Sequence, residues 1–318
     1  MRRYAFHLKI CPNIEVEIVI IPLGLSVFET LIYKYFKLPF IVFSKRNEIL
    51  LLPHERLSYL AWFKREKKAI IVLHDLHTLM DKELSFYHKC FYKLQISGLK
   101  KAERIVCVSN HTAEDLLKFK PKYSNKSICV IHNAIESHWI EPDFALDCDR
   151  QAEIGDEPFV LMVGTDVWYK NPKKAIEAVV NSKYRLIKVG ILAEDLKEFL
   201  NDNSIQYLEF NNIEDRFLAY LYGKANILFF PSIHEGFGWP IVEAMARGCQ
   251  IVTSRKASIP EICGDLVTYV EPNDVDRMSD SIIGNFPLSS EKELVSRAKD
   301  FLIDRFHREY INLISELS

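Results

Sequence analysis

The sequence predicts an α/β protein of two doubly wound parallel-sheet domains, and three observations predict it. The chain has 318 residues, 48% hydrophobic and 26% charged, which is enough apolar material for two cores of ordinary size. Short runs of β-branched residues alternate with amphipathic stretches, the pattern of parallel strands covered by helices on both faces. Several of these runs stop at a glycine or a polar residue where a helix is about to begin. Candidate ligand groups are thereby placed beyond the carboxyl ends of strands.

In the first domain, set at residues 1–145, strands are expected at 17–21, 40–43, 49–52, 69–73, 104–108 and 128–131, with a helix over 81–101. His74 and Asp75 follow the fourth of these runs directly, which makes them site candidates, with His77 close behind. Ser109 or Asn110 suits the cap of the next helix, and Glu114 and Asp115 fall in its first turns. Two stretches, 28–43 and 56–68, are both aromatic and basic. Each fits an interfacial helix or a helix that buries its rings and leaves its lysines in water, and the second is the simpler expectation. Residues 136–158 are rich in Asp, Glu and Pro without apolar periodicity, and the interdomain linker is expected there.

The second domain, set at 156–299, opens with a buried run at 159–163 that meets Gly164 and Thr165. Lys170 stands just before a helix expected from about Lys173, a good place from which to neutralise a phosphate. Further strands are expected at 186–189, 205–210, 225–230 and 250–254. After the third of these comes Pro-Ser-x-x-Glu-Gly-Phe-Gly-x-Pro-x-x-Glu-Ala-Met-Ala-x-Gly over residues 231–248. Pro240 suits the first position of a helix and Gly248 the residue past its end. Gly236 and Gly238 let the backbone turn sharply and approach a ligand, and the helix start favours an anion such as a diphosphate. Glu235 at the mouth of the loop and Glu243 in the first turn are carboxylates able to accept hydrogen bonds from paired hydroxyls. Taken singly, each also reads as an ordinary loop charge or helix residue. Residues 291–317 form one amphipathic helical stretch.

The 231–248 pattern resembles the signature of the retaining GT-B glycosyltransferases called family 4, or group 1, whose two E-x7-E glutamates hold a nucleotide-sugar. Other segments are similar to that family too: the His-Asp strand end at 74–75, a run over 102–109, and residues 130–135 with Ala134 where the relatives carry Gly. The resemblance implies two Rossmann-like domains facing a cleft, with the end of the last helix, about 300–318, crossing back to complete the first. It implies donor binding by Gly164, Thr165, Lys170, Glu235, Gly236, Phe237, Gly238 and Glu243, with Lys170, Glu235 and His74 catalytic. Lys170 falls on the diphosphate-binding lysine of the family. Thr165 stands where many relatives have Arg, and Tyr169 where a second basic residue is common.

By that resemblance the activity is transfer of a hexose, mannosyl or glucosyl, from a nucleotide-diphosphate sugar to an acceptor hydroxyl in polysaccharide, O-antigen or glycolipid synthesis. The nucleotide-sugar is a co-substrate, no cofactor or metal is required, and the acceptor is a saccharide or lipid-linked saccharide. A non-catalytic nucleotide-sugar binding protein, or a GT-B epimerase or phosphorylase, is the alternative. The residues exclude other classes. The seven cysteines are scattered without a C-x-x-C, against a zinc site or a disulfide framework, and the compartment expected is the cytoplasm. No G-x-G-x-x-G or P-loop is present, and no nucleic-acid partner is expected. No apolar run reaches the roughly 18 residues of a membrane span, and the first residues do not read as a signal peptide. A net charge of −2 hides a basic first half and an acidic second half. Spread over so many residues, that basicity reads first as a solvated surface, with peripheral contact of the first domain with the inner face of a membrane as the alternative.

Overall fold

The computed structural model describes residues 7, 30, 33–44, 48–64, 69–81, 83–121, 123, 128–140, 153–284 and 289–317. The expected strand at 17–21 and residues 141–152 of the expected linker lie outside the described residues. The chain divides into two compact units, Met1–Ala134 with Ile303–Ser318, and Ile135–Leu302.

In the first unit, strands β1 (Leu50–Leu52), β2 (Ala69–Leu73), β3 (Arg104–Cys107) and β4 (Ile128–Val130) lie side by side in chain order, all parallel. Every residue of β2 is buried, which is why it reads as an unbroken aliphatic run. The expected strand at 40–43 is instead part of helix α1 (Leu38–Ser44), which continues a π-helical turn, Tyr33–Lys37. A strand would set Phe40 and Val42 on one face, yet Phe40 is 72% exposed and Val42 is buried with Leu38, four residues back. The expectation of buried rings in the two aromatic stretches fails for Phe36, Phe40, Trp62 and Phe63, all exposed.

The expected helix over 81–101 begins later, as α2 (Phe86–Gln95) capped by Ser85, and tightens into a 3-10 turn, Ile96–Lys101. Helix α3 (Asn110–Phe119) starts at Ser109, whose hydroxyl accepts the Thr112 N–H at 3.1 Å. That settles the choice of cap.

In the second unit, strands β5 (Phe159–Val163), β6 (Arg185–Val189), β7 (Tyr207–Phe210), β8 (Ile227–Phe230), β9 (Ile251–Ser254) and β10 (Thr268–Val270) form one parallel sheet. Its order is β10-β9-β8-β5-β6-β7. The chain runs outward from β5 to β7, then returns to β8 and runs outward the other way. The carboxyl ends of β5 and β8 therefore flank the topological switch point, the place where such sheets bind ligands. Helix α4 (Pro172–Ser182) follows β5 and α5 (Trp239–Ala246) follows β8. Helix α6 (Glu291–Lys299) opens on a capping box between Ser290 and Glu293.

The expected single helix at 291–317 breaks after α6, and α7 (Ile303–Ser315) belongs to the first unit. Its buried stripe is Phe306, His307, Tyr310 and Leu313, and His307 Nε2 donates to the His7 carbonyl at 2.9 Å. Among the described residues no helix is long and apolar enough to cross a membrane.

Candidate active site

At the switch point of the second unit, β5 ends on Gly164, whose φ of 125° suits glycine. Beside it, β6 ends on Gly190, with φ 120°. A Cβ on Gly190 would overlap the Gly164 carbonyl oxygen, so the two strand ends can lie this close only with glycine at 190. The loop after Gly164 carries Thr165 and closes with a short 3-10 turn, Trp168–Lys170. Asn171 then takes a left-handed conformation, φ 58°, and its amide donates to the Pro272 carbonyl at 2.7 Å, so helix α4 starts at Pro172. This fixes Lys170 at the mouth of the loop.

The loop after β8 comes to meet it. Ile233 N–H donates to the Tyr169 carbonyl at 2.7 Å, and Lys170 Nζ lies 2.6 Å from Glu235 Oε1. The same ammonium sits 4.2 Å from the centre of the Phe230 ring, a cation–π contact. Ser258 is buried and its hydroxyl lies 3.0 Å from the carbonyl oxygens of both Glu235 and Phe237, so the glycine loop is held from below. Gly238, φ 104°, caps α5 and turns the chain into it. Phe237 is a special case among the expected donor residues. Its ring packs edge-on against Trp239 and Phe301, so any part it takes in binding comes from its backbone.

Glu243 stands in the second turn of α5, not the first as expected, because the helix begins at Trp239. It is buried, and its Oε2 accepts the hydroxyl of wholly buried Tyr222 at 3.1 Å. The structure thus brings Gly164, Thr165, Lys170, Glu235, Gly236, Phe237 and Gly238 together at one switch point, with Glu243 along the following helix. His74 belongs to the first unit.

Two residues of this site escaped the sequence reading. Ser232, two residues after β8, is buried, and its hydroxyl has no hydrogen-bond partner among the described residues. It lines the same depression as Thr165, Lys170 and Lys188. Lys188 on β6 is 3% exposed, donates to the Gly164 carbonyl at 2.7 Å, and pairs with Asp166 Oδ1 at 2.9 Å. Asp166 in turn accepts the Ala193 N–H at 3.0 Å. Burial lowers the Lys188 pKa, and the Asp166 carboxylate works against that shift. A lysine inside a run expected to be buried on both faces was the available signal.

In the first unit, His74 follows β2, and its backbone N–H donates to Glu55 Oε2 at 3.3 Å. His74 Nε2 lies 2.9 Å from the Pro53 carbonyl, which can only accept, so that nitrogen carries the proton. Burial lowers the His74 pKa, which favours the neutral ring. Asp75 holds the next turn through the backbone N–H and ring of His77.

Glu55 itself is almost fully buried, and burial, followed by the nearby Asp75 charge, pushes its pKa up to about 8. Burial, then the His74 and Arg56 charges, push His54 down to about 3. His54 Nδ1 accepts the Arg56 N–H at 3.2 Å, so its 3.1 Å contact with Glu55 Oε1 joins an imidazole lone pair to a protonated carboxyl. The Tyr92 hydroxyl reaches Glu55 Oε1 at 3.4 Å and the Asp75 carbonyl at 3.2 Å. His54 and Glu55 come just after β1, and the rule that singled out His74 at the end of β2 applies to them equally.

The comparisons with known proteins follow the two units. The family model described as Glycosyltransferase Family 4 matches residues 13–139, and that of Glycosyl transferases group 1 matches residues 147–294. The chain is 26% identical over 270 residues to O-antigen chain mannosyltransferase B of Escherichia coli, covering 78% of this chain and 70% of that one. It is 27% identical over 218 residues to O-antigen chain mannosyltransferase RfbU of Salmonella typhimurium, covering 65% and 58%. Against the longer serotype-specific mannosyltransferase WbdA of Escherichia coli it spans only 28% of the relative's length.

Among solved structures it resembles sucrose-phosphate synthase from Thermosynechococcus elongatus, with a TM-score of 0.74 at 19% identity, covering 94% of this chain and 80% of that one. It also resembles HepE of Anabaena in complex with UDP and glucose, with a TM-score of 0.70 at 14% identity, covering 88% and 81%. Each unit is thus matched by its own glycosyltransferase family model, and the chain belongs to the group 1, family 4 glycosyltransferases of GT-B fold.

Proposed function

We propose that this glycosyltransferase moves a hexose, mannose first among the candidates, from a nucleoside-diphosphate sugar to a saccharide hydroxyl in O-antigen or related polysaccharide synthesis. The mannosyl preference rests on the two O-antigen relatives named above. The observation that carries the proposal is the Lys170–Glu235 pair at the switch point, set between two glycine strand ends and the start of α5. The pair holds a cation where a diphosphate would lie and a carboxylate where its sugar would lie. On binding, the diphosphate competes for Lys170 and frees Glu235 to accept from the sugar hydroxyls.

In the reaction the bond between the anomeric carbon and the diphosphate oxygen breaks, and the acceptor oxygen bonds to that carbon on the same face. The acceptor proton leaves with the diphosphate. Negative charge grows on the leaving group, and fixed donors aimed at it lower the barrier. Lys170 and the backbone N–H groups of the Gly236–Gly238 loop are assigned that part, with the Ser232 hydroxyl beside them. Glu243 is assigned the ribose, and His74 the contribution of the first unit. No step requires a metal, so EDTA leaves turnover unchanged. The reaction is placed on the cytoplasmic side.

The test is thermal stabilisation by UDP, GDP and ADP, on the natural protein and on Glu243→Ala, followed by donor consumption with Lys170→Met. A shift with one nucleotide, lost in Glu243→Ala, supports the site. A turnover loss of about 10²–10³-fold in Lys170→Met supports its role at the leaving group. A donor held without being consumed would favour a binding protein instead, a reading that Thr165 in place of a basic residue keeps in view.

A further inference from the structure

The first unit carries a face of exposed rings and lysines that the chemistry above does not use. Helix α2 buries one side chain, Tyr92, and leaves Phe86, Tyr87, Phe91 and Leu94 in water, Phe86 and Tyr87 by 74% and 83%. Beside it, the helical stretch at 33–44 exposes Phe36 and Phe40 by 73% and 72%. Rings this open on adjacent helices are unusual, since each would ordinarily contribute to a core.

The two helices and the 3-10 segments near them form one continuous surface. Tyr35 meets Phe91 edge-on at 6.3 Å and its hydroxyl accepts from Gln95 Nε2 at 3.4 Å. The Tyr59 hydroxyl ties the same stretch down by donating to the Lys34 carbonyl at 2.6 Å. Farther along, half-exposed Trp62 donates to Ser97 Oγ at 3.1 Å and lies under the Lys101 ammonium at 4.9 Å.

The charge on this surface has one sign. Residues 33–44 and 86–101 contain six lysines and no aspartate or glutamate. The nearest carboxylates ahead of α2, Asp81 and Glu83, precede its cap. Protein interfaces also favour aromatic rings, but they are depleted in lysine, and here six lysines surround the rings. Aromatic side chains that stand out of a surface among lysines match instead the boundary between lipid headgroups and acyl chains, where rings settle and ammonium groups meet phosphates.

From this juxtaposition we infer that the face formed by α2 and residues 33–44 docks the protein on an anionic phospholipid bilayer. The rings enter the headgroup layer and the lysines meet the lipid phosphates. No catalytic assignment is involved, so the inference stands or falls apart from the donor site.

The experiment is flotation of the full chain with vesicles of phosphatidylcholine alone or with phosphatidylglycerol added, at low and high salt. Two variants accompany it, Phe36→Ser with Phe40→Ser and Tyr87→Ser, and Lys89→Gln with Lys93→Gln and Lys100→Gln. Binding to the mixed vesicles is expected to exceed that to neutral ones by about tenfold and to fall with salt. Each variant is expected to lose about tenfold while its melting temperature stays that of the natural protein. Equal binding to both vesicles, or a ring variant that binds as the natural protein does, overturns the inference. So does self-association in solution that the ring variant abolishes, which would assign the face to a second copy of the chain.

Discussion

The two units place their rings and their charges in opposite ways. In the second unit, Phe229, Phe230 and Phe237 are buried at the carboxyl end of β8, and the site is shaped by main chain, by glycines 164, 190 and 238 and by two ion pairs. In the first unit, the rings of Phe36, Phe40, Phe86 and Tyr87 stand in water, while His54, Glu55, His74 and Tyr92 are packed together at the ends of β1 and β2. The second unit's arrangement depends on main-chain shape and ion pairing. The first depends on protonation, because its strand ends are joined through groups that titrate.

The largest effect is expected where a change breaks an ion pair of the second unit. Lys188→Met leaves the Asp166 carboxylate, whose side chain is only 10% exposed, opposite a thioether and removes the donor to the Gly164 carbonyl. Removing one partner of a buried pair costs about 3–5 kcal/mol, which thermal or urea unfolding measures directly. Adding Asp166→Asn is expected to return part of that loss, because the uncompensated charge is then gone. If Lys188→Met unfolds like the natural protein, the ion pair is not what braces the two glycine strand ends.

How much of this was legible follows from range. Strands β5 and β8 could be read because each is apolar along its whole length, as a strand buried on both faces must be. Helix α5 could be read from local grammar, Pro240 near its start and Gly248 after its end, φ 66°. Residues 40–43 could not. Phe-Ile-Val-Phe has the composition of a strand, and only the neighbours of Leu38 and Val42 make it a helix. The Lys188–Asp166 pair was hidden for a similar reason, since its two members come from separate strand ends that only the sheet order brings together. Glu235 and Lys170 were named from their own loops. Their contact at 2.6 Å is a tertiary fact.

The protonation side of the comparison is tested by pH. Glu55 has a folded pKa of about 8 against an ordinary 4.5, so the folded state binds its proton more tightly than the unfolded chain does. Its contribution is complete below 4.5 and is lost as pH rises towards 8. His54, at about 3 against 6.5, acts in the other sense: its contribution is present above 6.5 and lost as pH falls towards 3, and the lowered His74 adds to it. Between 4.5 and 6.5 the two oppose each other, and from 6.5 to 8 only the Glu55 loss remains. The stability of the natural protein minus that of Glu55→Gln is therefore expected to fall across pH 5 to 8, by about 2 kcal/mol or more. A difference that stays flat over that window would mean the Glu55 carboxyl is ionised in the folded protein.

The smallest change sharpens the comparison most. Tyr222→Phe deletes only a hydroxyl, in a side chain with no exposed surface, and takes one donor from Glu243 Oε2. The stability cost is expected to be about 1 kcal/mol, as for the loss of one buried hydrogen bond. What decides its meaning is nucleotide affinity. If Tyr222 aims the carboxylate at a ribose, the dissociation constant of the stabilising nucleotide rises several-fold in Tyr222→Phe and further in Glu243→Ala. If Glu243 serves only to satisfy Tyr222 inside the core, both variants lose stability and the nucleotide binds as before. The second result would take Glu243 out of the donor site and move the ribose to the main chain of the glycine loop.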